Sequence, residues 1–488
     1  MQALTEPDVA GLIDRLVAEE LPGRRGLAAW TSLLRAHATL MRRLETDLER
    51  DTGLALADGR QLAAKAVILA TGIALHAGGP RASAQTSNVV IQWNQTLQAQ
   101  FVGTGPGIHI RALPMMHIAM FDAINSIEER YTPYLSQVKG SRGASAEAAA
   151  AAAARDVLVA LYPTQQAVFD NLLASQLAGI PPGLARQGVA IGRAAAKAVL
   201  DWRKNDGWPT TQAAATTPDP TYVLPPFPGL WQPTPPANSF ATFTFYPHVL
   251  PFAMLTATQF LPPPPPTLTS ARYATDFNEV KLLGSVNSAA RPDEMTLWAQ
   301  IHAGVNTQIG FFHVWNRVAA DVAQQSGLSL IDTARTFVLL TVGLHDGLQT
   351  SFTSKFAYGL WRPVTAIRRA SEDLNPATDQ EDNWTPLLTT PTYPSYAGNV
   401  ACLSAASARA LQIAFDRDDI PFTVTYPRTM GLPTETRTYT GFSDLAQQEA
   451  DSRIYAGLHY RFDNEASQRF CVKAPEFAAE HFMLPRDR

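Results

Sequence analysis

Residues 452–463 read SRIYAGLHYRFD. Two arginines, a histidine and an acid fall close together in a chain that is otherwise sparing with charge. If the stretch is helical, His459 and Asp463 lie one turn apart on one face. A carboxylate so placed accepts the imidazole Nδ1–H, fixes the tautomer and leaves Nε2 free as nucleophile or metal ligand. Ser452 falls near the same face, and the long Arg453 side chain can wrap round to it. A cation beside a nucleophilic imidazole makes sense where the bound species is an oxyanion.

A second cationic cluster, KFAYGLWRP, occupies residues 355–363. Lys355 and Arg362 are two helical turns apart if the helix persists, and Pro363 ends that helix or marks a turn. With no acid close by in sequence, this pair again calls for an anion. Between the clusters, PTYPSYAGN at residues 391–399 leads into an apolar helical pattern. Backbone N–H groups at a helix N-terminus point outward, and the helix dipole favours negative charge. The amides near Ala397, Gly398 and Asn399 are therefore expected to cradle oxyanion oxygens. Asn399 also suits an N-cap.

In order and spacing these pieces resemble the signature of the vanadium haloperoxidase and type-2 phosphatidic-acid-phosphatase superfamily: K-x6-RP, then PSGH, then SR-x5-H-x3-D. Lys355, Arg362 and Pro363 match the first part, and Ser452, Arg453, His459 and Asp463 match the third. The stretches VVIQWNQ, MMHIAMFDAIN and LWRPVTAIRRA extend the resemblance to the bacterial haloperoxidase-like branch, over about residues 85–488. The resemblance implies vanadate as cofactor, held by Lys355, Arg362, Arg453 and the Gly398 amide, with Ala397 beside it. His459 Nε2 would be the single metal ligand and Asp463 its orienting acid. Hydrogen peroxide and a halide would be the substrates, with vanadium acting as a Lewis acid. In the phosphatase members the same cradle takes phosphate and the imidazole is the nucleophile, so a phosphomonoester hydrolase is the alternative.

The middle motif departs from the family. Ala397, Gly398 and Asn399 stand where the family has Ser, Gly and His. Asparagine cannot titrate near neutral pH, and losing general acid–base catalysis costs about 10²–10⁴ in rate. A low-turnover oxyanion-binding protein is therefore a third reading. His345, beside Asp346, is a candidate for the missing acid–base group, although a helix-face histidine is its commoner role. His117, His302 and His313 sit in helical apolar patterns and read as structural.

Helices must position these groups. The chain has 488 residues, 46% apolar, and only 17% charged against roughly 25% in an average soluble domain. Net charge is −4, which gives no bulk attraction to nucleic acid or an anionic membrane. No apolar run reaches the roughly 18 residues of a membrane span. Two cysteines, Cys402 and Cys471, exclude a disulfide scaffold and a four-cysteine zinc site, and leave one bridge open. Three- and four-residue apolar spacing recurs from residue 87 to 207 and again from 271. Between them, residues 208–268 include PPFPGLWQPTPPA and FLPPPPPTLTS, where proline excludes helices and suits an extended surface crossing. Trp231, Phe245 and Phe252 are expected to pack it down. The predicted fold is all-α, with two helical bundles joined by a proline-rich crossing and the oxyanion site in the C-terminal bundle. Its subdivisions are 85–207, 208–268 and 269–488, and a homodimer is left open.

The N-terminal residues differ in character. Residues 27–53 resemble the opening helix of a MarR-type transcription regulator without its DNA-reading part, so residues 1–60 read as a fused remnant or a mis-chosen start. Residues 61–84 hold Lys65, an apolar stretch and ASA at 82–84, the shape of a signal peptide or else a linker. If it acts as a signal, the protein is periplasmic or secreted; otherwise it is cytoplasmic.

Overall fold

In the computed structural model the described residues are 88–486, apart from 101–107, 140–142, 210, 304–310 and 428–433. The MarR-like helix and the signal-like segment lie outside them. The described chain is mostly helical, as the periodicity predicts. The first set comprises α1 (Val89–Ala99), α2 (Ile108–Glu128), α3 (Ala146–Leu161), α4 (Gln166–Leu177) and α5 (Pro182–Trp202). Ser145 caps α3, its side chain accepting from the Ala148 amide at 3.1 Å, and the alanines 148–154 that follow are all buried. Small side chains let neighbouring helices approach closely there.

The crossing carries a short α-helix, α6 (Gln212–Thr216), and a single 3₁₀ turn at Tyr246–His248, against the expectation of no helix. The local sequence QAAAT is free of proline and capped by Thr211. The rest is irregular and fastened down. Asp346 accepts from the amides of Phe252, Ala253 and Met254 at 2.8, 2.7 and 3.0 Å. Arg203 donates to the carbonyls of Pro251 and Leu250 at 3.0 and 2.6 Å. Trp231 and Phe252 are buried, and Phe245 packs edge-on against Trp208.

The second set runs α7 (Ala271–Gly284), α8 (Asp293–Ile301), α9 (Phe311–Gln325), α10 (Leu330–Tyr358), α11 (Pro363–Arg368), α12 (Asn399–Phe415), α13 (Phe442–Tyr455), α14 (Arg461–Phe470) and α15 (Lys473–His481). Between α12 and α13 an antiparallel hairpin pairs β1 (Phe422–Tyr426) with β2 (Glu435–Tyr439), Phe422 opposite Tyr439. One apolar core runs through both sets: Trp93, Phe121 and Val157 belong to the same cluster as Trp315, Phe337 and Leu344. A second cluster, with Tyr273, Trp361, Tyr396, Tyr460 and Phe462, flanks the loops of the site. Cys402 on α12 is disulfide-bonded to Cys471 at the end of α14, across 69 residues. No described helix is long and apolar enough to cross a membrane.

The core also sets an acid limit. His117 is fully buried, bonded through Nε2 to Asn94 at 3.1 Å, and burial pushes its pKa down to about 3. Its unfolded value is near 6.5, so between these pH values the unfolded chain binds the proton and the folded chain does not. Stability must then fall as pH drops through that window, by about 1.4 kcal/mol per unit from this group. His117→Gln should flatten the dependence in urea unfolding between pH 6.5 and 4.5.

Candidate active site

Each predicted site residue is set at the end of a helix or in a loop between two. Lys355 lies in the last turn of α10, fully buried with Ser351 and Ser354. Gly359 ends that helix in the left-handed region at φ 58°, a conformation that favours glycine. The chain then turns, and Arg362 is the N-cap of α11 with Pro363 in its first turn. Lys355 and Arg362 are therefore not two turns apart on one helix. Pro363 opens a helix, the position its fixed φ suits best.

A similar correction applies to the C-terminal cluster. Ser452 and Arg453 end α13, whereas His459 precedes α14 and Asp463 is that helix's third residue. A bend at Gly457, φ 79°, separates the two. The expected pairing nonetheless forms: His459 Nδ1 meets Asp463 Oδ2 at 2.9 Å. The same carboxylate accepts from the Tyr460 amide at 3.3 Å, capping α14. Asp463 thus orients the imidazole and starts the helix that carries it.

On the other ring nitrogen, Arg362 Nη1 lies 3.1 Å from His459 Nε2. These hydrogen bonds assign the Nδ1–H tautomer with Nε2 unprotonated. Burial, then Arg362, Lys355 and Arg453, hold the imidazole pKa well below its usual range, which agrees with a neutral ring. Arg362 also donates to the carbonyls of Tyr393 and Leu458 at 2.7 and 2.9 Å, while its buried Nη2 has no partner.

Lys355 Nζ donates to the Pro394 and Ser395 carbonyls at 3.1 and 2.6 Å. Burial and Arg362 push its pKa well down, with Asp463 opposing. Arg453 donates to Ser452 Oγ and to the His302 carbonyl at 3.1 and 2.7 Å. Burial brings it down to about 10, with Glu449 and Tyr393 opposing. Asp463 is pushed up to about 6 by burial, against the lowering effect of Ser395, Lys355 and Arg362. Three buried cations thus share the site with two buried acids, Asp463 acting on Lys355 and Arg362 and Glu449 on Arg453. Buried charge of one sign in excess is costly, and a bound oxyanion would offset it.

The backbone cradle differs from expectation. The Gly398 amide donates to the Asp463 carbonyl at 3.1 Å, and the Ala397 amide to Ser354 Oγ at 3.0 Å. Neither is directed at an anion. Gly398 has a packing reason instead: a Cβ there would meet Asn464 Oδ1 at 2.6 Å. Gly398, not Asn399, is the N-cap of α12. Asn399 is buried and donates through Nδ2 to the Tyr393 hydroxyl at 3.3 Å.

His345 does not reach this site. It is buried against Asp346 at 2.9 Å and packs among Trp208, Tyr246 and Phe252, so its role is structural. His302 contributes its carbonyl to Arg453, while its ring meets Gln448 at 2.9 Å.

Two residues of PTYPSYAGN escaped the sequence reading. Tyr393 presents its ring to Lys355 Nζ at 5.3 Å and to the Arg362 guanidinium at 5.0 Å. Ser395 Oγ donates to Asp463 Oδ2 at 2.5 Å, while its carbonyl holds Lys355. A hydroxyl aimed at an acid 68 positions away leaves no periodic signal. Ser395→Ala strips a donor from a buried carboxylate. It should cost about 1–3 kcal/mol in urea unfolding, and ¹⁵N shifts of His459 should show a loosened tautomer preference.

The helical fold and this buried imidazole–carboxylate–guanidinium site define a class. Residues 335–487 match the family model described as the VCPO second helical-bundle domain. The chain is similar to the crystal structure of the first bacterial vanadium-dependent iodoperoxidase, at 21% identity and a TM-score of 0.67, covering 83% of this chain and 99% of that one. It is also similar to a holo-type bacterial vanadium-dependent chloroperoxidase, at 19% identity and a TM-score of 0.61, covering 78% and 94%. No curated protein sequence matches the chain. Residues 335–487 thus match the VCPO second helical-bundle domain, and the chain shares the fold of these two solved structures.

Proposed function

We propose that the protein binds vanadate and uses hydrogen peroxide to oxidise a halide. One observation carries this reading: Lys355, Arg362 and Arg453 lie buried about a neutral imidazole whose Nδ1–H is held by Asp463. The donor set fits a tetrahedral oxyanion, since the unpartnered Arg362 Nη2 and the excess of buried positive charge both lack an anion. Lys355, Arg362 and Arg453 would hold the oxygens, and His459 Nε2 would bond the metal. Bound vanadate would supply a Lewis acid that polarises peroxide for attack by halide. The protein's own part is to keep Nε2 unprotonated through Asp463, to neutralise oxyanion charge with fixed cations, and to exclude bulk water. Arg362 Nη1 occupies the lone-pair direction of Nε2, so it must shift when that nitrogen forms a bond.

A second reading, a low-turnover oxyanion binder, is favoured by Asn399, which cannot carry a proton. Calorimetric titration with orthovanadate, followed by halogenation assays with hydrogen peroxide, tests the first. Vanadate uptake with hypohalous acid formation supports it. Uptake without turnover supports the second. Cleavage of p-nitrophenyl phosphate inhibited by vanadate would move the assignment to a phosphomonoester hydrolase. The buried Cys402–Cys471 disulfide supports an oxidising compartment and hence export.

A further inference from the structure

The side chain of Tyr393 lies against two of the groups expected to hold the anion. Its ring faces Lys355 Nζ at 5.3 Å and the Arg362 guanidinium at 5.0 Å. Its hydroxyl oxygen accepts from Asn399 Nδ2 at 3.3 Å. Arg362 and Arg453 both act on the phenol electrostatically, although burial outweighs them and raises its pKa. The far side of the ring is fixed by Phe352 at 5.2 Å and Phe243 at 6.1 Å. The phenol is thus a held group, and its oxygen lies among the cations.

Its hydrogen-bonding balance is incomplete. Asn399, the side chain that bonds to the oxygen, is a donor. The oxygen accepts from Asn399, and its own hydrogen is left to donate. A phenol that accepts from an amide and lies near guanidinium groups is a polarised donor.

We propose that Tyr393 is an anion-binding residue whose hydroxyl, oriented by Asn399, donates a hydrogen bond to the oxyanion held by Lys355, Arg362 and Arg453. The Tyr393–Asn399 pair then makes up for the donors the loop lacks: position 397 has no hydroxyl, and the Ala397 and Gly398 amides are engaged elsewhere. Asn399 acts here as a positioning residue, not as a proton carrier. This inference rests on the oxyanion reading of the site.

Calorimetry on the full chain with orthovanadate, and separately with inorganic phosphate, at one fixed pH tests it. Tyr393→Phe keeps the ring, its packing on Phe352 and Phe243 and its contact with the cations. It should weaken both anions by about 10-fold or more, the usual range for a hydrogen bond to a charged group. Asn399→Ala should weaken them by about 3-fold alone and by nothing further in the Tyr393→Phe background, the coupling expected of two groups acting as one. If wild type takes up neither anion, the oxyanion reading falls and this inference with it. If wild type binds and Tyr393→Phe binds equally well, the reading stands and this inference is overturned. Tighter binding by Tyr393→Phe would also overturn it, because the phenol would then be an obstruction.

Discussion

His459→Ala is expected to remove vanadate uptake and to lower any turnover by about 10³-fold or more, the scale seen when a covalent participant is deleted. The imidazole is an uncharged nitrogen group among the cations, and its Nε2 is kept unprotonated by the bond from Nδ1 to Asp463. Alanine removes that nitrogen and also leaves Arg362 Nη1 without its contact at 3.1 Å. Phosphate, held by charge and hydrogen bonds alone, should lose far less affinity than vanadate. That contrast, read by calorimetry with both anions, separates loss of a bond from collapse of the pocket. Equal loss of both anions would place His459 in the scaffold instead of at the metal.

Asn399→His is the change expected to increase activity. General acid–base catalysis contributes about 10²–10⁴ in rate when a titratable group is correctly placed. Position 399 is the first residue of α12, buried and directed at Tyr393, so an imidazole there would face the same side chain. Turnover in the halogenation assay should rise by about 10²-fold, with a new limb in its pH profile near the histidine range. Unchanged turnover with intact vanadate binding would show that proton transfer at this position does not limit the reaction. Because the variant also removes the donor to Tyr393, weaker binding should offset part of the gain, and kcat and KM must be read separately.

The same fixed charges explain why burial is tolerated. Lys355, Arg362 and Arg453 each spend their hydrogen bonds on carbonyls of Pro394, Ser395, Tyr393, Leu458 and His302. Carbonyl dipoles partly replace water around each cation. They also fasten the 393–399 loop and the 458–459 turn to α10 and α11, so these loops and the three cations are one network.

Much of this was written along the chain. Apolar spacing of three and four residues required helices, and the run of prolines required a crossing held to the surface. The residue types at 355, 362, 453, 459 and 463 carried the chemistry, because a cation, an imidazole and an acid have few common purposes at such spacing. What the chain could not tell was how these groups are supported. A helical reading placed His459 and Asp463 on one helix, yet the same four-residue spacing also brings a residue before the N-cap to one in the first turn. It left the amides of Ala397 and Gly398 free, because the Asp463 carbonyl and Ser354 that engage them are distant in sequence. Tyr393 and Ser395 became visible only when α10, α12 and α14 packed together. Local pattern determines which elements form and which chemical groups they carry. Which polar group satisfies which is decided by long-range packing, since every buried donor must find its acceptor wherever the fold brings one.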